Sequence, residues 1–158
     1  MEELTIQTLN ELHEATYDSL VAEYDDFAVK NKDIVEDAVS KLRRHLGRPA
    51  KVLDVGCAVG NITSELVQHG YSATGIDISS KMISQARKCV PNAEFIVGDL
   101  CSYDFDGKKF DAIVAFAFIH LFPRDKAAEI LDIFKTLLNP GGIIYTGTTD
   151  SDSYSEGF

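Results

Sequence analysis

The sequence predicts a doubly wound α/β domain, a mostly parallel sheet with helices on both faces. Three observations predict it. From Lys51 onward, short apolar runs alternate with segments of helical periodicity, the pattern of βαβ units. The first of these runs ends in a carboxylate and breaks at once into Gly56-Cys57-Ala58-Val59-Gly60, which leaves no room for a long loop before the next helix. A chain of 158 residues also fits one core and can bury roughly two thirds of its unfolded surface. The expected organisation is one domain: a helical cap over 1–48, a sheet-bearing core over 49–150 and an acidic tail over 151–158.

Leu9, Leu12, Leu20, Val21 and Tyr24 fall at approximately helical spacing, predicting one or two amphipathic helices between about residues 9 and 28. Ile34, Val35, Ala38, Leu42 and Leu46 line one side of the next helix, which Gly47 and Pro49 end. Val52-Leu53-Asp54-Val55 is a strand buried on both faces, and 61–69 a helix stopped by Gly70. Residues 72–77 form the second strand, and Ser79 is placed to cap a helix that runs to about Cys89. Pro91-Asn92 breaks the chain, 93–97 is the third strand, and an Asp-rich loop follows over 101–109. Residues 110–117 make the fourth strand. Ala127, Ile130, Leu131, Phe134, Leu137 and Leu138 mark a helix that Asn139-Pro140-Gly141-Gly142 ends, and 143–146 is the fifth and last strand expected.

The net charge of −10 belongs to the ends of the chain. Residues 1–29 and 150–158 carry eleven acids and no Lys or Arg; removing those eleven from 25 leaves 14 acids against 15 bases between them. A phosphate backbone needs a cationic footprint, and only the short cluster Lys41, Arg43, Arg44 and Arg48 offers one, so nucleic acid is not the expected partner. No run of about 18 apolar residues and no basic leader is present, so a cytoplasmic protein without a membrane anchor is expected. Cys57, Cys89 and Cys101 lie in no metal-ligand spacing, and neither a zinc site nor a disulfide framework is expected.

In a parallel sheet of this kind ligands sit beyond the carboxyl ends of the strands, where strand order reverses. There the first strand delivers Asp54 and the 56–60 turn, the second Asp77, the third Gly98-Asp99, and the fourth Phe116, Ala117 and then His120. Gly56 and Gly60 let a ligand press against bare backbone, and the free amides of the following helix suit a carboxylate. Three carboxylates at one edge argue against a polyphosphate and for a ligand bearing hydroxyl, amine or cationic groups. Asp77 is placed to accept from a ribose diol, Asp99 from an exocyclic amine, and Asp54 to face an ammonium group, directly or through water.

These residues resemble the class I S-adenosylmethionine-dependent methyltransferases, over about two thirds of the chain. The carriers are Val-Leu-Asp-Val-Gly-Cys-Ala-Val-Gly at 52–60, Gly-Ile-Asp-Ile-Ser at 75–79, Gly-Asp-Leu at 98–100, Phe-Asp-Ala-Ile-Val-Ala at 110–115 and Leu-Asn-Pro-Gly-Gly at 138–142. The resemblance implies a Rossmann-like fold and S-adenosylmethionine as cofactor, leaving S-adenosylhomocysteine as product. It further implies that Gly56, Cys57, Ala58 and Gly60 line the methionine part, Asp77 holds the ribose hydroxyls, and Gly98, Asp99 and Leu100 read adenine. Ile78 and Met82 would pack on the base, Phe116 and Ala117 would face the sulfonium and the acceptor, and Tyr24 would reach the ligand from the N-terminal cap. His120 is the candidate proton acceptor.

The chain departs from the family twice. Ala58 stands where glycine is usual and is expected to exclude positive φ. Members usually continue past the fifth strand into an antiparallel hairpin, whereas this sequence ends at Phe158; a shortened protein, or a second copy covering the fifth-strand edge as a homodimer, is the expectation. The acceptor is expected to be a small molecule. Two other readings stay open, a non-catalytic module that uses the exposed sheet edge and an NAD-dependent oxidoreductase, although the latter normally shows G-x-G-x-x-G.

Overall fold

A computed structural model of the chain describes residues 6–21 and 32–147, with side chains from residue 11 onward. The element order is α1 (Ile6–Ser19), α2 (Lys32–Arg43), β1 (Lys51–Val55), α3 (Asn61–Gln68), β2 (Ser72–Asp77), α4 (Ser80–Cys89), β3 (Glu94–Val97), β4 (Phe110–Phe116), a short 3-10 turn (Ile119–Leu121), α5 (Arg124–Leu137) and β5 (Leu138–Gly147). Strand order is β3-β2-β1-β4-β5, and every pairing is parallel. Order therefore reverses between β1 and β4. Any ligand of this fold class sits beyond the carboxyl end of β1.

Side-chain parity divides the core into two faces. Leu53, Val55, Ile76, Ile96, Ile113 and Ala115 point one way and pack with Ile130, Phe134 and Leu137 of α5. Val52, Ala73, Ala112 and Val114 point the other way, against Val39 and Leu42 of α2 and Leu66 of α3. On that second face Cys57 and Phe95 pack with Ile83 and Ala86 of α4. At roughly 25 cal/mol per Å² of apolar surface, each fully buried Leu, Ile or Phe stabilises the fold by about 1.5–3 kcal/mol before entropy is counted.

The predicted elements are present with small changes at their ends. α3 stops as expected, with Gly70 at φ 79° and Arg48 donating to the His69 carbonyl at 2.8 Å. β5 begins earlier than its apolar run, because Leu138 pairs with Phe110 before an irregularity brings Ile143 opposite Ala112. Asn139 donates to Asp111 at 2.8 Å, and the Lys51 amide bonds the same carboxylate at 2.8 Å, which ties the amino end of the sheet together. Among the described residues β5 stands at one margin of the sheet and β3 at the other. No helix among the described residues is long and apolar enough to cross a membrane.

α1 lies across the carboxyl edge. Its His13 ring meets Phe122, beyond β4, at 5.8 Å between centroids, and its Asp18 bonds Ser79, beyond β2. Five residues rise about 7.5 Å along a helix, close to the roughly 9.6 Å that two strand spacings span. The helix therefore bridges from β4 to β2 over the end of β1.

Candidate active site

The 56–60 turn leaves β1 by folding back onto β2. The Gly56 and Cys57 amides both donate to the Ile76 carbonyl, at 2.9 and 3.2 Å, and the Gly60 amide closes the turn on the Cys57 carbonyl at 2.9 Å. Gly56, Ala58 and Gly60 all take positive φ, at 69°, 47° and 87°. The expectation that Ala58 excludes that conformation is therefore corrected. Its amide donates to the Asp77 carboxylate at 2.9 Å, and this bond with those of Gly56 and Cys57 over-determines the left-handed geometry.

Asp77 is the hub. One oxygen accepts from Ala58, and the other accepts from the Ser79 amide at 2.9 Å. Burial pushes its carboxyl above the ordinary range, opposed by these amides, with Asp18 pushing it further up. A carboxylate offers about four lone-pair positions, so two amides leave capacity for two hydroxyls. The side chain is half-buried.

Asp54 behaves differently. Only 2% of it is exposed, and it accepts from the Thr63 hydroxyl at 2.6 Å. Thr63 lies in the first turn of α3, whose N-cap is Gly60, with no side-chain cap of its own. Asp54 thus ties the first turn of α3 to the strand below. The expectation of an ammonium group facing this carboxylate directly is corrected, because its side chain points into the α3 face, on the same parity as Val52. Burial raises its pKa to about 7, Thr63 lowers it, and the neighbouring Asp77 raises it again.

Asp99 is half-buried at the end of β3 and accepts from the Cys101 amide at 3.0 Å and the Ser102 hydroxyl at 3.3 Å. The Gly98 amide donates to the Asp77 carbonyl at 2.9 Å, which joins the second and third strand ends. A Cβ on Gly98 would meet the Tyr103 ring at 3.0 Å, and one on Gly60 the Phe95 ring at 3.1 Å. These two glycines make room for aromatic packing within the protein. Cys57, Met82 and Leu100 are buried, while Gly56, Ala58 and Ile78 are half-buried. Burial raises the Cys57 thiol well above its ordinary range, which fits a core residue.

At the end of β4, Phe116 packs its ring on Gly147, and the Ala117 amide, at φ 52°, bonds the Gly147 carbonyl at 2.7 Å. Phe118, which the sequence reading does not single out, comes closest to the turn: a Cβ on Gly56 would lie 2.8 Å from its ring. Phe118 continues into Phe122 at 5.1 Å and so to His13 on α1. An aromatic two residues past the end of β4 is the signal that could have found it. His120 is exposed on the 3-10 turn. Burial against this aromatic row lowers the His13 pKa, so its imidazole is neutral at neutral pH. Tyr24 lies outside the described residues.

The model of the methyltransferase domain family matches residues 52–142, which hold the turn, all three acidic strand ends and the start of β5. A relative described as an uncharacterized methyltransferase, from Bacillus thuringiensis, is 32% identical over 89% of this chain and 67% of its own length. The chain therefore spans about two thirds of that curated relative. Among solved structures, a TehB-like SAM-dependent methyltransferase from Corynebacterium glutamicum is 26% identical with a TM-score of 0.68, over 82% of this chain and 72% of that one. The DhpI–SAH complex is 25% identical with a TM-score of 0.78, over 94% and 73%.

Proposed function

The chain belongs to the class I S-adenosylmethionine-dependent methyltransferase family, and from that premise we propose that it moves a methyl group from S-adenosylmethionine to a small-molecule acceptor. The observation that carries the reading is the half-buried Asp77, held by the Ala58 and Ser79 amides beside a turn with three positive-φ residues. These residues fit the cofactor. Asp77 would take the ribose hydroxyls, each bond to a charged acceptor contributing about 1.5–3 kcal/mol. Half-buried Gly56 and Ala58 would meet the methionine part, whose carboxylate suits the amides that open α3. Asp99 and Ile78 would stand at the adenine.

When bound, the cofactor would supply an activated methyl carbon open to in-line attack by an acceptor lone pair, with the thioether of S-adenosylhomocysteine as the leaving group. The protein then has to position and desolvate rather than activate. Phe118 over Gly56 would offer an aromatic face to the sulfonium, and the row Phe118, Phe122 and His13 would shield it from water. His120 would take a proton from the acceptor. A near-neutral body and the three free cysteines support a small acceptor and a reducing, cytoplasmic setting.

Thermal shift separates the rival readings. S-adenosylhomocysteine at about 100 times its dissociation constant should stabilise the fold by about 2.7 kcal/mol, and NAD should not. A screen of acceptors by coupled homocysteine release then finds the substrate class. A shift with NAD alone would overturn the proposal; a shift with S-adenosylhomocysteine and no turnover on any acceptor would favour the binding module.

A further inference from the structure

We propose that Asp18 is a positioning residue for cofactor binding: through Ser79 it fastens α1 across the mouth of the site, so the cover stands in place before the cofactor arrives. The inference rests on the methyltransferase reading and assigns a role to a residue outside the matched domain. Ser79 is fully buried, and its hydroxyl is used twice. It accepts from the Met82 amide at 3.1 Å, capping α4, and it donates its proton to Asp18 at 2.5 Å. A hydroxyl has one proton to give. If Asp18 moved away, that buried donor would lose its partner, and the loss would favour return of the helix.

Asp18 holds the same corner from two further directions. It accepts from the Lys81 amide at 3.4 Å and pairs with the Lys81 ammonium at 3.6 Å. The Ser79 backbone amide meanwhile donates to Asp77. An unbroken set of bonds therefore runs from α1 through Asp18, Ser79 and Asp77 to Ala58 in the turn. The other end of α1 rests on Phe122 through the ring of His13. Asp18 is a polar anchor at this end of α1. A protein whose competent form is only partly populated binds with affinity reduced by that fraction, so loosening the anchor should weaken cofactor binding while leaving turnover at saturation.

The test is calorimetric titration of the full chain with S-adenosylhomocysteine. Asp18→Ala leaves the Ser79 cap on α4 intact and should raise Kd about tenfold, equivalent to about 1.4 kcal/mol. Asp18→Asn retains an acceptor for the Ser79 hydroxyl and should recover binding to within about threefold of wild type. Ser79→Ala removes the same bond and the α4 cap besides, so it should cost at least as much as Asp18→Ala, and the double variant should cost less than the sum of the two, because one bond is lost in both. Hydrogen exchange at the amides of 11–21 should quicken in Asp18→Ala without ligand. A Kd for Asp18→Ala within about twofold of wild type, or full additivity in the double variant, overturns the proposal. A wild-type chain that binds no S-adenosylhomocysteine overturns the methyltransferase reading and this inference with it.

Discussion

Replacing Asp54 by asparagine should flatten the dependence of stability on pH. The carboxyl is 2% exposed and has a folded-state pKa of about 7 against an ordinary 3.8. A raised carboxyl pKa means that folding favours the protonated form. The stability this allows is fully present below the unfolded value and is lost as pH rises through the folded one. From those two values the loss is about 2 kcal/mol between about pH 5 and pH 7, and only a few tenths between about pH 7 and pH 8. Asp77, also raised, adds to the wild-type slope in the same direction, and the difference between the two proteins reads Asp54 together with its repulsion of Asp77. The substituted amide would still accept from Thr63, but its N–H protons would be new buried donors at a cost of about 1–3 kcal/mol, so offset and slope must be read separately. Urea unfolding at several pH values gives both. Parallel profiles, differing by less than about 0.5 kcal/mol in slope over that range, would refute the claim that Asp54 is a buried, uptitrated partner of Thr63.

Other outcomes follow from the same geometry. Ala58→Gly should raise stability by about 0.5–1 kcal/mol, because a Cβ in the left-handed region costs about 1–2 kcal/mol and glycine returns part of that gain as chain entropy; a lower melting temperature would count against strain at this position. Phe118→Leu should weaken binding of the cationic S-adenosylmethionine about two- to fivefold relative to neutral S-adenosylhomocysteine, as loss of an aromatic face of about 0.5–1 kcal/mol requires. An unchanged ratio of the two Kd values would take the ring away from the sulfonium. His120→Gln should slow turnover by about 10²-fold or more if that imidazole takes the acceptor's proton, and an unaltered rate at neutral pH would pass the role elsewhere, with neutral His13 the next imidazole to test.

Much of this is legible in the sequence because strand and helix periods differ and the strand ends carry unusual residues. Asp77 and the turn can be placed from their position after apolar runs, and Ser79 from its position before a helical pattern. The sequence misleads at Ala58 because the local steric rule is weaker than three tertiary bonds acting on one short turn. The side of Asp54 follows from strand parity, since it lies inside β1 and alternates with Leu53 and Val55. Gly60 and Gly98 suggest ligand approach, yet the Phe95 and Tyr103 rings account for their missing side chains. No local pattern pairs Asp18 with Ser79, which stand 61 positions apart. Only the path of α1 over the edge brings them together.

The central claim is that Asp77 and the turn it organises hold the adenosyl cofactor. Calorimetry with S-adenosylhomocysteine on wild type and Asp77→Ala measures it most directly. Two ribose bonds of about 1.5–3 kcal/mol each predict a loss of affinity of at least about 100-fold in a variant that still folds. A Kd within about threefold of wild type would mean that the ribose is held elsewhere, and the site described around β1 and β2 would have to be abandoned.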